Sequence, residues 1–279
     1  MTQALAKHER YQSQFKGIVD ESSPEWLDGL RRQGMKDFSS LGFPTARRGN
    51  ENWKYTNINA IANTEFDIAP ASDVTLEDLK QSAPWDDEWT TLVFVNGRYS
   101  ADLSSPSTDA SVTVGSISEL TRSNGNILES HLTSIAPTAN DGFAALNTAF
   151  VQDGAFVHIA EGVDLETPLH LLFVSTANET PFITHPRVLV VAGKESNATM
   201  IESYVGVGEG KYFSNVVSEI ILEAGAQVDH YRLLDESDEA YHVGVARVSQ
   251  DDGSTFSSAA FYNNVLLGRH DLLVTIGDG

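Results

Sequence analysis

Residues 215–233, NVVSEIILEAGAQVDHYRL, contain a β-rich run, a turn at Gly225 and then a strand in which apolar and polar residues alternate. The same order of features occurs at three other places: FVHI (156–159) before Gly162, VLVV (188–191) before Gly193, and VARV (245–248) before Gly253. Successive glycines are 31, 32 and 28 residues apart. Repeats of this length are typical of solenoids. Because no helical pattern separates the strands, residues 151–279 are predicted to form a right-handed parallel β-helix, with two or three short strands in each repeat.

One alternative architecture stays open from the sequence. Several of the β-rich runs could pair as hairpins, which would give an antiparallel sandwich. The repeat is too long for a hexapeptide solenoid, and the sequence lacks the GGxGxD signature of calcium-binding repeats. The direction in which the strands pair therefore distinguishes the two architectures.

The first 150 residues lack this repeat and are predicted to form an N-terminal helical region with a small strand element. A helix is predicted from Pro24, with Ser23 as its cap, to Gly42. The pair Asn96-Gly97 after the run TTLVFV predicts a hairpin. Further helices are predicted from Thr2 to about Lys16, after a cap at Thr75, over about 118–135 and over 143–150. Residues 43–70 are expected to be extended and irregular, and residues 100–116 are polar and rich in Ser and Thr. The predicted domains are therefore residues 1–150 and 151–279.

The charge of the chain argues against two classes of partner. The net charge is −21, from 18 Lys and Arg against 39 Asp and Glu, although residues 1–60 carry 9 basic and 7 acidic groups. A strongly acidic surface repels phosphate backbones and anionic lipid, so nucleic-acid and membrane binding are disfavoured. The sequence shows neither a secretory signal nor a run of about 18 apolar residues. The protein is therefore expected to be cytoplasmic.

Histidines are the first candidates for metal ligands, and their spacing argues against a metal site. His158 and His170 lie in predicted strands with no His or Asp two or four residues further on. His230 and His242 border the acidic loop DESDE (235–239). A metal site needs three or four convergent ligands with support around them, and no such set is evident. No metal-binding residue is predicted.

Motifs for catalysis and nucleotide binding are missing as well. A GxSxG elbow and a GxxxxGK[ST] loop do not occur in the sequence. The run GVGEG (206–210) is followed by no helix signal, so it is predicted to be a flexible turn between coils. The acidic runs 86–88 and 235–239 lack EF-hand spacing and are expected to be solvated. No catalytic residue is predicted, and residues that bind a cofactor cannot be assigned.

Glu202 is the one acidic residue in an otherwise apolar strand. It shares a face with Met200 and Tyr204 because side chains alternate along a strand. If that face points inward, the buried carboxylate requires hydrogen-bond partners. A structural role is favoured over a functional one.

The last run of the chain, DLLVTIGDG (271–279), stops where another turn should lead onward. An uncovered coil end exposes strand edges. We therefore expect the sequence to be C-terminally truncated. We also expect its open end either to be poorly ordered near residues 255–279 or to support a homodimer.

Four passages stand out by their motifs: LGFPT (41–45) with ENWKYT (51–56); ALNTAF (145–150) with DGAFVHI (153–159); PRVLV (186–190) with IESY (201–204); and GRHDL (268–272). They resemble the SufB/SufD family of the SUF system for iron–sulfur cluster assembly. Their order and spacing make the match fairly specific, and it covers residues 41–279. The first motif and the absence of cysteine are closest to the SufD branch.

The resemblance implies a scaffold subunit without catalysis of its own. It implies a SufB-like partner at the β-helix and a SufC-like ATPase bound through helices beyond Gly279. Iron–sulfur cluster and reduced flavin would be associated only with the complex. This segment has no thiolate with which to hold a cluster, so no cofactor is expected to be bound by it. The rival hypotheses are a carbohydrate-active β-helix protein such as a polysaccharide lyase, and a purely structural repeat protein.

Overall fold

The computed structural model describes residues 2–19, 23–45, 51–107, 109–124 and 126–277. The helices are α1 (Thr2–Phe15), α2 (Glu25–Leu41), α3 (Asn59–Asn63), α4 (Leu76–Ser82), α5 (Ile117–Asn124), α6 (Asn126–His131) and α7 (Gly142–Phe150). The strands are β1 (Asp67–Ile68), β2 (Thr90–Val95), β3 (Arg98–Tyr99), β4 (Val112–Ser116), β5 (Ala155–Ile159), β6 (Leu169–Thr176), β7 (Phe182–Thr184), β8 (Arg187–Ala192), β9 (Asn197–Val207), β10 (Tyr212–Leu222), β11 (Gln227–Asp235), β12 (Tyr241–Gln250), β13 (Thr255–Asn264) and β14 (Leu267–Ile276). The last two residues of the predicted final coil, 278 and 279, lie outside the described residues.

Residues from Ala155 onward form a β-solenoid of about four turns, built from two parallel sheets. Strands β5, β8, β10, β12 and β14 stack in sheet 1, and β6, β9, β11 and β13 stack in sheet 2. The repeats align in register, since Ile220 of β10 pairs with Val190 of β8 and with Val248 of β12. The predicted β-helix is confirmed, and parallel pairing excludes the antiparallel sandwich.

Apolar side chains of both sheets fill the interior of the solenoid. The buried residues there include Val157, Leu171, Val190, Met200, Val216, Ile220, Val228 and Val248. Each is contributed by one turn and packs on its equivalents in the next, as the alternation in the sequence predicted. One face of the solenoid strands from β5 to β12 is thereby removed from water, whereas β13 and β14 of the last turn stay largely exposed. This burial is the main stabilising contribution.

The turns between the two sheets require one residue with left-handed backbone. Gly162, Gly225 and Gly253 supply it with φ of 71°, 73° and 66°, and in the second repeat Glu195 takes this place with φ of 57°. The left-handed turn residue that was predicted at Gly193 therefore lies two residues later, at Glu195. Gly193 is needed for another reason: a Cβ there would lie 2.5 Å from the carbonyl oxygen of Ile159. Backbone hydrogen bonds stack the turns, from Gly162 N–H to Lys194 O at 2.8 Å and from Glu195 N–H to Ala224 O at 2.9 Å.

Replacing Glu195 with glycine is expected to stabilise the fold by about 1 kcal/mol, because a non-glycine residue in left-handed backbone costs about that amount. Glu195 is exposed, so little packing is lost. Chemical denaturation should show a higher midpoint with an unchanged slope. Glu195→Ala is the matched control, since it removes the side chain and keeps the strained backbone. An equal rise in both variants would contradict this explanation.

Strands from the N-terminal part extend both sheets. The β2–β3 hairpin forms as predicted, with Asn96 and Gly97 at φ of 49° and 78°, and β2 also pairs in parallel with β6 of sheet 2. β4 lies in the polar segment 100–116, for which no strand was predicted, and it pairs antiparallel with β5 of sheet 1. The proposed division at residue 150 stays a prediction, because these strands continue the solenoid sheets across it.

The predicted helices are largely present, with two corrections. Ser23 does not cap α2; its hydroxyl accepts a hydrogen bond from Arg31 at 2.8 Å, and Pro24 occupies the cap position. The stretch 118–135 forms two short helices, α5 and α6, rather than one. Two predicted signals are confirmed: Thr75 caps α4 through a capping box, and Gly42 ends α2 with φ of 63°.

Helices α2 and α7 pack closely on the outside of sheet 1. A Cβ at Gly34 of α2 would lie 2.8 Å from the carbonyl oxygen of Ala145 in α7, so only glycine allows this approach. An aromatic cluster of Tyr11, Phe38, Phe43, Phe143 and Phe150 surrounds the contact. Among the described residues no helix is both long and apolar enough to cross a membrane.

Candidate functional site

The interior of the solenoid changes from apolar to polar along its length. The inner positions of β6 and β8, such as Leu171 and Val190, are apolar, whereas those of β9, β11 and β12 include charged and imidazole side chains. We call this group the interior polar cluster; its members are Glu202, His230, Arg232, Glu236, His242 and His270. Ionisable side chains in a protein interior are uncommon unless they are paired. The cluster is therefore the first candidate for a functional site.

Glu202 and Arg232 form the centre of the cluster. They are register neighbours on β9 and β11, each is at most 1% exposed, and Arg232 Nη1 lies 2.8 Å from Glu202 Oε2. The same carboxylate oxygen accepts hydrogen bonds from the hydroxyls of Tyr204 at 2.7 Å and Ser218 at 3.1 Å. Burial alone would raise the pKa of Glu202, but the neighbouring His230, Arg232 and Tyr204 outweigh it and hold this pKa well below its usual value. Glu202 is therefore an ionised, paired carboxylate.

His242 links this ion pair to a second carboxylate. Its Nε2 lies 2.7 Å from Arg232 Nη2, and its Nδ1 lies 2.9 Å from Glu236 Oε2. Arginine can only donate, so Nε2 accepts and the proton is on Nδ1, which donates to Glu236. Desolvation lowers the pKa of His242, although Glu236 opposes this shift. The other oxygen of Glu236 accepts a hydrogen bond from Ser214 at 2.6 Å, so the chain of contacts crosses from sheet 2 to sheet 1.

His270 on β14 extends the cluster into the last described turn. It faces Gly244 of β12, where a Cβ would lie 2.5 Å from Arg232 Nη2 and 3.2 Å from His270 Nδ1. Glycine at this position therefore makes room for both side chains. Burial and the nearby Arg232 lower the pKa of His270 to about 3. Neither ring nitrogen of His270 has a hydrogen-bond partner among the described residues.

The chemistry available to the cluster is limited to charge, hydrogen bonding and proton transfer. It contains neither a thiolate nor a lysine nucleophile. Among the described residues no group of three or more His, Asp and Glu is arranged to hold a metal ion. A buried ion pair roughly breaks even in stability against apolar residues, and it can instead specify one arrangement of the core. The expectations of no catalytic and no metal-binding residue stay predictions.

Three of the individually considered sequence candidates meet in the cluster, and the others lie elsewhere. Glu202 faces inward with hydrogen-bond partners, and His230 and His242 are buried beside it, with His230 Nε2 3.3 Å from Glu202 Oε1. His158 is partly exposed on β5, and His170 is buried under the ring of Trp89. In the glycine run 206–210, Gly206 and Val207 end β9, and the remaining residues lie in the predicted turn before β10.

Three members of the cluster were missed from the sequence: Arg232, Glu236 and His270. A signal for one of them was present. Arg232 follows Glu202 by 30 residues, about one repeat, so superposing repeats places the opposite charges side by side. Glu236 was assigned to a solvated acidic run, yet it is 3% exposed. The position of His270 depends on Gly244, and no local pattern indicates that contact.

Comparison with known proteins identifies the family. The family model for the SufBD protein N-terminal region matches residues 3–171, and the one for the SufBD core domain of SUF-system FeS cluster assembly matches residues 173–278. The chain is 30% identical over 263 residues to an iron-sulfur cluster assembly SufBD family protein of Synechocystis sp., covering 88% of this chain and 56% of that protein.

Two relatives carry a more specific name. Iron-sulfur cluster assembly protein SufD of Bacillus subtilis is 26% identical over 74% of this chain and 48% of its own length, and SufD of Escherichia coli is 25% identical over 86% and 54%. SufB of Bacillus subtilis also matches, at 21% identity. The chain spans about half the length of these relatives. The two family models together cover nearly all of the chain, and on that basis the chain belongs to the SufBD family of the SUF system for iron–sulfur cluster assembly.

Proposed function

We propose that this chain is a SufD-like scaffold subunit, without catalysis of its own, in a cytoplasmic complex with a SufB-like subunit and a SufC-like ATPase. The observation that carries the proposal is the match of both SufBD family models in tandem along the chain. Two of the relatives that match are named SufD, at 26% and 25% identity, against 21% for the SufB relative. Iron–sulfur cluster and reduced flavin are assigned to the complex and not to this chain.

The architecture suits a scaffold. Parallel in-register stacking produces a stiff body in which each turn contacts only its neighbours. The chain contains no cysteine, so a cluster held by thiolates would need ligands from a partner. Apart from His270, the members of the interior polar cluster are paired within the chain, so their geometry agrees with a structural role as well as with a chemical one.

Co-purification tests the proposed complex. The chain is produced with an affinity tag together with SufB-like and SufC-like proteins of the same organism, and the eluate is analysed for stoichiometric SufB-like subunit. We expect the SufB-like protein to be retained at 1:1 with the scaffold. The matched control is a tagged, unrelated acidic protein of similar size, which excludes capture by charge. Retention of neither partner by a folded, monodisperse chain would count against the scaffold role.

A further inference from the structure

A cleft at the junction between the helical region and the solenoid carries an unusual density of cations. We call it the junction cleft; it has a volume of about 390 Å³ and lies between the start of α2, the β2–β3 turn and α5. Arg31, Arg98 and Arg122 line it together with the carboxylate of Asp153. The chain has only 18 basic residues against 39 acidic ones, so three arginines at one cleft are a marked local concentration.

The oxygens of the Asp153 carboxylate are engaged by donors of the chain itself. It accepts hydrogen bonds from the backbone N–H of Tyr99, Ser118 and Gly154 at 2.9, 3.1 and 2.8 Å, and from the hydroxyl of Ser116 at 2.6 Å. Four donors satisfy most of the acceptor capacity of a carboxylate. Asp153 therefore has a structural task, and its negative charge stays in the wall of the cleft beside the three arginines.

The arginines keep donors that the described residues do not use. Arg31 is 4% exposed; its Nε donates to Val151 O and its Nη1 to Ser23 and Asp28, which leaves Nη2 without a described acceptor. Arg98 donates once, from Nη1 to Ala69 O at 3.0 Å. No described residue accepts a hydrogen bond from Arg122. Arg31 is thus paired with Asp28 and keeps one free amino group, whereas Arg98 and Arg122 are exposed and keep most of their donors for a bound acceptor.

A second, smaller cavity adjoins the cleft and adds two more donors. It has a volume of about 30 Å³, which holds about one water-sized group, and it shares Arg98, Gln152 and Asp153 with the junction cleft. His185 in its wall stacks on Phe150, and Asn215 Nδ2 lies 3.2 Å from its Nδ1.

The tautomer of His185 follows from these contacts. Burial lowers the pKa of His185 to about 3, so the ring is neutral. Asn215 Nδ2 also donates to Phe143 O, which identifies it as the amide nitrogen, and His185 Nδ1 therefore accepts. The proton is on Nε2, which is buried without a partner among the described residues, as is the hydroxyl of Thr184 in the same wall.

We propose that the junction cleft binds a small molecule that carries a phosphate or diphosphate group. Three guanidinium groups, one of them paired with Asp28, suit a ligand rich in acceptor oxygens, and the adjoining cavity holds one water-sized group beside the two unpaired neutral donors. A carboxylate offers two oxygens, whereas a tetrahedral phosphate offers three or four and is matched by several arginines at once. Binding at this cleft requires neither a SufB-like nor a SufC-like subunit. Its test is therefore independent of the proposed scaffold function.

Titration calorimetry of the full chain with pyrophosphate tests the proposal. We expect saturable 1:1 binding, and we expect Arg98→Gln and Arg122→Gln each to weaken it about tenfold, the equivalent of one charge-assisted hydrogen bond. Both side chains are exposed, so the variants should fold. Arg32→Gln is the matched control, because Arg32 lies on α2 beside Arg31, is 47% exposed and pairs with Glu25 outside the cleft.

Three results would overturn the proposal. One is the absence of saturable binding at moderate salt. Another is weakening by Arg32→Gln equal to that of the cleft variants, which would indicate attraction by net charge alone. The third is equal binding of malonate, which would replace the phosphate class with dicarboxylates.

Discussion

Replacing Glu219 with glutamine is expected to lower the free energy of unfolding by about 3–5 kcal/mol, the range found when one partner of a buried ion pair is removed. Glu219 is 0% exposed on β10 and pairs with Arg187 of β8, which is 1% exposed. Its Oε2 accepts the backbone N–H of Thr133 at 2.9 Å, and its Oε1 accepts those of Ile135 and Ala136 at 3.1 and 3.0 Å.

The size of this effect follows from what a glutamine side chain cannot do. Its NH₂ group would face backbone N–H donors or the Arg187 guanidinium, so donor would oppose donor inside the protein. Arg187 would keep contacts with Asn147 and Thr148 at 3.2 and 3.3 Å, but its charge would be unpaired. The turn after α6, in which Thr133 has φ of 68°, would lose the acceptor that fixes it to the solenoid.

Denaturant unfolding followed by circular dichroism measures the loss. Glu223→Gln is the matched control: Glu223 follows the same strand, is exposed, and accepts one backbone N–H, that of Lys194, at 3.1 Å. It should cost less than about 1 kcal/mol. The paired variant Arg187→Met with Glu219→Gln should recover part of the loss, since no charge is then left buried alone. Equal midpoints for Glu219→Gln and the wild-type protein would refute the anchoring role.

The solenoid could be predicted because its determinants repeat along the chain. Each repeat contains the same local signals: a β-rich run, a turn glycine and an alternating strand, as at Gly162, Gly225 and Gly253. Because the repeats stack, the same signal occurs several times along the chain. The error at Gly193 has a physical cause. Glu195 adopts the left-handed backbone in that turn. Gly193, two residues earlier, is instead required by its close contact with the backbone of Ile159.

The candidate site could be predicted only in part, because its contacts join residues far apart in sequence. The inward direction of Glu202 follows from alternation along one strand, so its need for partners could be stated. The identity of the partners depends on register between turns and on the contact between the sheets, as with Arg232 and His242. Tertiary contacts also overrode the predicted cap at Ser23. Its hydroxyl accepts a hydrogen bond from Arg31 and does not cap α2.

Lowering the pH from 7 to 5.5 is expected to destabilise the fold by several kcal/mol through its buried histidines. Burial lowers the pKa of His170 to about 4 and those of His185 and His270 to about 3, and it also lowers the pKa of His242. In the unfolded chain each has a pKa near 6.5. Between these values the unfolded state binds more protons than the folded state, so stability is present above pH 6.5 and is lost as the pH falls. His170, His185 and His270 each contribute about 1 kcal/mol over this interval.

The contribution of the histidines to the pH dependence can be separated from the contribution of the carboxylates. Glu202 has a lowered pKa, so its contribution is lost only below its unfolded pKa of about 4.5, outside the interval from pH 7 to 5.5. Replacing His170 with glutamine removes one titrating ring that is 0% exposed and should reduce the loss over that interval by about 1 kcal/mol. Ser130→Ala, at the exposed end of α6, is the matched control: it removes no imidazole and should leave the slope unchanged. Protonation of His242, whose Nε2 lies 2.7 Å from Arg232 Nη2, would place two cations in contact. A free energy of unfolding that does not change from pH 7 to 5.5 would mean that these histidines are accessible to water in the folded protein.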